Sequence, residues 1–146
     1  MIARIEDEIK TAMRARDNER RDALRLLLSA LRSAEKDART ELDDQAAQAV
    51  LRRERKRRVE AAEAFKAAGS DERAAHEERE AAIIDEFLPA ALSDDELSGI
   101  VDAAIQKTGA SSMKDMGGVM REAMAASGGR ADGKRVQALV REKLSG

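Results

Sequence analysis

The chain contains no cysteine, tryptophan or tyrosine, one proline, one histidine and only two aromatic side chains, Phe65 and Phe87. Each shortage removes a class of protein. Without cysteine there is no disulfide, no thiolate nucleophile and no cysteine-based zinc site. With so few β-branched and aromatic residues, the pleated half-buried surfaces of a sheet cannot be built. Two phenylalanines give single-stranded bases little to stack on. No segment is apolar enough to span a bilayer. The opening "MIARIEDEIK" is amphipathic and charged, unlike a signal peptide. A soluble cytoplasmic protein without membrane association is therefore expected.

What remains is mostly alanine, leucine and charge. Of 146 residues, 38% are Asp, Glu, Lys or Arg, a composition typical of long helices. The expected fold class is all-α. Net charge is −2; residues 1–88 carry 19 basic and 21 acidic side chains, and residues 89–146 carry 8 of each. Neither half is a polycation, so nucleic-acid binding would need a local patch.

Pro89 divides the sequence, because proline lacks an N–H and disfavours the α region at Leu88. The chain is expected to form an N-terminal domain over 1–88 and a C-terminal domain over 89–146. The first should hold four helices. Ile2, Ile5, Ile9, Ala12 and Met13 make an apolar stripe that "RDN" at 16–18 interrupts. A second stripe, Ala23, Leu24, Leu27, Leu28 and Leu31, ends near Arg39. "ELDD" caps a third helix from about Asp44 to Ala68, and Gly69 turns the chain into a fourth that begins at Ser70 and has its apolar end at Ile83, Ile84, Phe87 and Leu88. The third and fourth should form an antiparallel pair. The second domain should hold three. Ser93 with Glu96 forms a capping box for a helix that stops at Gly109. Another starts at Ser111 or Ser112, with Asp115 as a capping partner, and ends before Gly128. The last begins at Asp132 and runs through Val136, Leu139, Val140 and Leu144.

Within "MKDMGGVMREAMAASGGRADGKRVQALV", residues 113–140, several features point to binding. Gly117 and Gly118 fall inside a helix, where each costs ~1 kcal/mol relative to alanine. Close approach by a neighbouring helix or by a bulky partner such as an RNA backbone would justify that cost. Met113, Met116, Met120 and Met124 recur at helical spacing, either as small-domain core or as an adaptable binding face. Arg130, Lys134 and Arg135 gather at the N-terminus of the last helix, where free N–H groups favour an anion. This is the best phosphate-binding candidate, set against a capped turn with solvated cations. In "RRERKRR", 52–58, Arg55 and Arg58 interrupt the stripe Leu51–Ala62–Phe65. They form either a phosphate-binding ridge or an exposed face paired with nearby glutamates. His76 and Glu80 could supply two metal ligands, but no third has convincing spacing, and a surface histidine is the plainer reading. No catalytic residue, metal site or cofactor is expected: there is no phosphate loop, no serine elbow and no divergent carboxylate pair.

"LPAALSDDEL", "MGGVM" and "GGRADGKRVQALVREKL", in that order, resemble the YqeY family. Its C-terminal domain is shared with the tail of the B subunit of the glutamine-dependent tRNA amidotransferase (the GatB/YqeY group). "IKTAMRARDNERRDALRLLLSAL" and "KRRVEAAEAFKAAG" resemble the family's N-terminal and third helices, so the likeness spans nearly the whole chain. The resemblance implies a four-helix unit followed by a three-helix unit, and a tail that contacts tRNA. Its basic and glycine positions fall on Gly117, Arg121, Gly129, Arg130, Ala131 and Asp132, with third-helix cations at Arg53, Lys56 and Arg58. The interval from Met120 to Ala131 is longer than in the amidotransferase tail and fits the free-standing YqeY branch. The label of carbon–nitrogen ligase with glutamine as amido-N-donor belongs to the amidotransferase as a whole; these residues carry neither its amidase serines nor an ATP site.

The expected function is a non-catalytic tRNA-binding or accessory module that uses Gly117, Gly118, Arg121, Arg130, Lys134 and Arg135, with Lys56 and Arg58 as a second patch. The alternative is a helical adaptor for a protein partner, which would leave Met116 or Met120 exposed.

Overall fold

A computed structural model describes residues 1–146 and contains helices and no strands. The helices are α1 (Ile2–Arg14), α2 (Asn18–Ala38), α3 (Asp44–Ala67), α4 (Asp71–Asp85), α5 (Asp94–Thr108), α6 (Met116–Ser127) and α7 (Gly133–Ser145), with a 3-10 turn at Met113–Asp115. None is long and apolar enough to cross a membrane. The contacts group into two compact units, Met1–Leu88 and Pro89–Gly146.

In the first unit α1 packs along α2 and α3 along α4. Ile5, Leu24, Leu27, Leu31, Leu51, Ile84 and Phe87 form its core. A fully buried leucine or isoleucine contributes roughly 1.5–3 kcal/mol. The stripes therefore stabilise the unit far more than helix propensity does. Arg55 meets Asp85, Arg58 meets Glu80 and Lys66 meets Glu78. Positions rising along α3 thus meet positions falling along α4, which is the expected antiparallel pair. Asp17 and Asp43 cap α2 and α3 by accepting from the N–H groups of Arg20 and Ala46. α4 ends at Asp85, and Phe87 reaches the core from the turn that follows.

Two backbone features carry no local signal. Arg16 and Arg39 adopt left-handed conformations, with φ of 57° and 56°. Arginine has a Cβ that disfavours this region, and glycine would be the usual occupant. Arg16 closes the short α1–α2 turn, and Arg39 ends α2.

The second unit has a smaller core of Leu92, Leu97, Val101, Ala104, Val119, Ala123, Val136 and Val140. Ser93 and Glu96 form the capping box at the start of α5, and Gly109, at φ 67°, ends that helix. α6 begins later than the sequence suggests. Its first residues are drawn into the 3-10 turn, because Asp115 accepts from the N–H groups of Ser111 and Ser112 at 2.9 and 3.2 Å.

Candidate nucleic-acid interface

The turn at Ser111–Asp115 sets the entry to α6. Asp115 is held below the usual aspartate range by the backbone N–H of Ser111 and then that of Ser112. Its charge is thus committed to the helix start. Gly117 and Gly118 follow in the first turn of α6, both exposed. A Cβ at either would meet nothing within 4 Å. Close packing by a neighbouring helix is therefore not the reason for this pair. Lys114 and Arg121 are exposed beside it. Neither belongs to the ion pairs of this unit, which are Lys107–Glu122, Arg135–Asp94 and Lys143–Asp102.

The methionines differ from a simple core stripe. Val119, Ala123 and Ser127 are the fully buried line of α6. Met116, Met120 and Met124 pack against the core from its edge, and Met113 is 41% exposed. Met113, in the 3-10 turn before α6, stands outside that packing. The exposure of Met116 or Met120 that an adaptor face needs is also missing.

The α6–α7 turn already engages part of the expected anion site within the chain. Gly128 and Gly129 take φ of 57° and 75°, as a sharp reversal requires. Asp132 caps α7, accepting from Lys134 N–H at 2.9 Å. A carboxylate already occupies one of the N–H groups that an incoming phosphate would use. Arg130 donates through Nε to the Ala90 carbonyl at 2.9 Å. Arg135 donates to the Leu92 carbonyl at 2.8 Å and to Asp94 Oδ1 at 2.7 Å. The Leu92 N–H in turn donates to the Arg130 carbonyl at 2.9 Å. Two of the three gathered cations therefore clasp the 90–94 segment to the α6–α7 turn. Lys134 alone is exposed and unpaired.

On α3 the structure separates the second patch. Lys56 is 77% exposed, with only Glu60 nearby at 3.9 Å. Arg58 is 16% exposed and sits among Glu80 at 2.8 Å, Glu54 at 3.3 Å and Glu77 at 3.9 Å. With three carboxylates around it, Arg58 joins α3 to α4 and presents no free charge to a phosphate. Arg55 is likewise held by Asp85 at 2.5 Å. The ridge reading fails for both arginines, and the glutamate-paired alternative holds.

His76 lies on the surface. Its Nδ1 is 3.3 Å from Glu19 and its Nε2 3.2 Å from Glu80. Glu19 was out of reach of sequence reasoning, because it arrives from α2. Its carboxyl is held below the usual glutamate range first by the hydrogen bond from Arg79. Arg79 Nε donates to it at 2.7 Å.

The geometry defines an all-helical protein whose unpaired cations stand on open helix faces. In a comparison with protein families, the family described as Yqey-like protein matches residues 2–144. The chain belongs to the YqeY family. A comparison with curated proteins found no significant match.

Proposed function

We propose that the chain is a non-catalytic RNA-binding or accessory module, gripping structured RNA such as tRNA through its phosphates. The relation to glutamine-dependent tRNA amidotransferase is part of this proposal, as is the division into domains 1–88 and 89–146. The observation that carries it is the open side of α6. Gly117 and Gly118 remove side-chain bulk there, with Lys114 and Arg121 unpaired beside them. Glycine in an exposed helical turn costs stability and gains no packing. A rigid, charged backbone that must come close is a partner for which both features make sense.

Lys134 and Arg121 are the direct contacts in this reading, and Lys56 is a secondary one. Arg130 and Arg135 shape the adjoining turn. With two phenylalanines in the chain, recognition rests on shape and phosphate rather than on base stacking.

Titrating bulk tRNA into the protein at several salt concentrations tests the proposal. Affinity should fall steeply as salt rises. Arg121→Glu with Lys134→Glu should weaken binding and flatten the salt dependence by about 2 in logarithmic slope. Gly118→Ala should weaken binding while raising stability by up to about 1 kcal/mol. Wild-type protein that binds no tRNA at low salt would end this reading.

A further inference from the structure

The first unit has a charge pattern that the site on α6 does not use. Residues 1–39 carry 10 basic and 8 acidic side chains, whereas residues 40–88 carry 9 basic and 13 acidic. The positive excess lies on the α1–α2 hairpin. Several of its cations are already bound: Arg20 to Glu8 and Glu86, Arg21 to Asp22, and Arg32 to Glu6.

An open hollow of about 550 Å³ runs along α2, lined by Arg25, Leu28, Ser29, Arg32, Ser33 and Lys36. Arg25 and Lys36 belong to no close ion pair; Arg25 donates to the Met13 sulfur at 3.8 Å and lies near enough to Asp22 to lower its carboxyl. Two contacts fix how α1 lies beside this row. Glu6 pairs with Arg32, and Met13 receives Arg25. Lys10 stands between Glu6 and Met13 at helical spacing, so it shares their side of α1. It is exposed and has no ion-pair partner. One edge of the hairpin therefore carries Lys10, Arg25, Arg32 and Lys36 against two carboxylates, Glu6, paired with Arg32, and Asp22, which the charges of Arg21 and Arg25 help to hold below the usual aspartate range.

We infer that this edge of the α1–α2 hairpin is a second phosphate-backbone contact for a nucleic-acid partner, separate from the face on α6. The inference rests on the nucleic-acid reading proposed above. Arg25 and Lys36 lie eleven positions apart, so they span roughly 16 Å at the rise of an α-helix. That matches about five steps of one strand of a duplex. Arg32 stands between them, and the hydroxyls of Ser29 and Ser33 are donors at the same level. Leu28 is the only apolar side chain lining the hollow, which suits a backbone better than an apolar ligand.

The test compares two sets of variants in the full chain. Lys10→Gln, Arg25→Gln and Lys36→Gln together clear the hairpin edge, and Lys114→Gln with Arg121→Gln clears α6. Arg32 stays untouched, because its pair with Glu6 joins the two helices. The removed side chains are exposed, and unchanged circular dichroism would confirm that each variant is folded. With bulk tRNA as the probe, the hairpin set should lower the logarithmic salt slope by about 2–3, and the two sets should act additively. If tRNA binds and only the α6 set weakens it, the hairpin inference is wrong and the α6 site stands. If only the hairpin set weakens it, the hairpin inference holds and the α6 site falls. No tRNA binding by the unaltered protein overturns both. Retention on phosphatidylserine vesicles that the hairpin set abolishes, with tRNA affinity unchanged, would assign the edge to a membrane surface and overturn the inference.

Discussion

The two units solve the problem of a charge-rich helical chain differently. Residues 1–88 bury large aliphatic side chains and tie their helices together with ion pairs: Arg20 to Glu8 and Glu86, Arg55 to Asp85, Arg58 to Glu80, Arg79 to Glu19. Residues 89–146 rely on a core rich in valine and alanine, on helix caps, on arginines bonded to backbone carbonyls, and on fewer ion pairs between helices, Lys107 to Glu122 and Lys143 to Asp102. A cation surrounded by carboxylates holds helices together. A cation with none nearby remains available to a partner. A basic run in the sequence therefore says little about binding until its partners are known.

Core truncation should separate the units most sharply. Leu31→Ala, at a fully buried position, should cost the first unit about 2–5 kcal/mol. If the units are independent domains, calorimetry should show its transition falling while that of residues 89–146 stays in place. A single transition shifted as a whole would join them into one cooperative body.

Next in size is the clasp on the 90–94 segment. Arg135→Ala removes bonds to Leu92 and Asp94 and should destabilise the second unit by about 1.5–3 kcal/mol. Lys134→Ala, one residue away and unpaired, should stay within about 0.5 kcal/mol. Equal effects in urea denaturation would contradict the division of labour between these cations.

The smallest effect concerns the caps and acid. Glu96 is lowered from the ordinary glutamate value first by its bond from the Ser93 backbone N–H and then by the Ser93 hydroxyl. A depressed carboxylate contributes stability that is fully present above its unfolded pKa. That stability is lost as pH falls through the lower folded value. Asp115 behaves in the same sense. The second unit should therefore lose cap stability as pH drops through and below the usual carboxylate range. Ser93→Ala should cost about 1 kcal/mol near neutrality and flatten that acid dependence, as read from denaturation midpoints between neutral and acid pH.

The helices were largely legible. Ser93–Glu96, Asp43, Gly109, Gly128 and Asp132 mark ends that depend on bonds two to four residues away, and the structure uses each of them. The left-handed turns at Arg16 and Arg39 were not legible, since arginine carries no local preference for that backbone. The 3-10 start of α6 was hidden because the same Ser–Asp spacing serves either helix type.

The candidate site was only half legible. Lys114 carried no signal beyond being one more lysine, and the openness beside Gly117 and Gly118 is a fact about absent neighbours. Arg130 and Arg135 looked like free charge until the 90–94 segment came beside them, and Arg58 until α4 did.

By itself the sequence determined that this protein is all-helical, where most of its helices end, and that it belongs among the YqeY proteins. The first two rest on interactions within a turn or two of chain. Only the tertiary structure decided which of its cations are spent and which are free. A cation is engaged by whatever carboxylate or carbonyl lies within about 4 Å of it, and for Arg20, Arg58, Arg130 and Arg135 those partners come from distant parts of the chain.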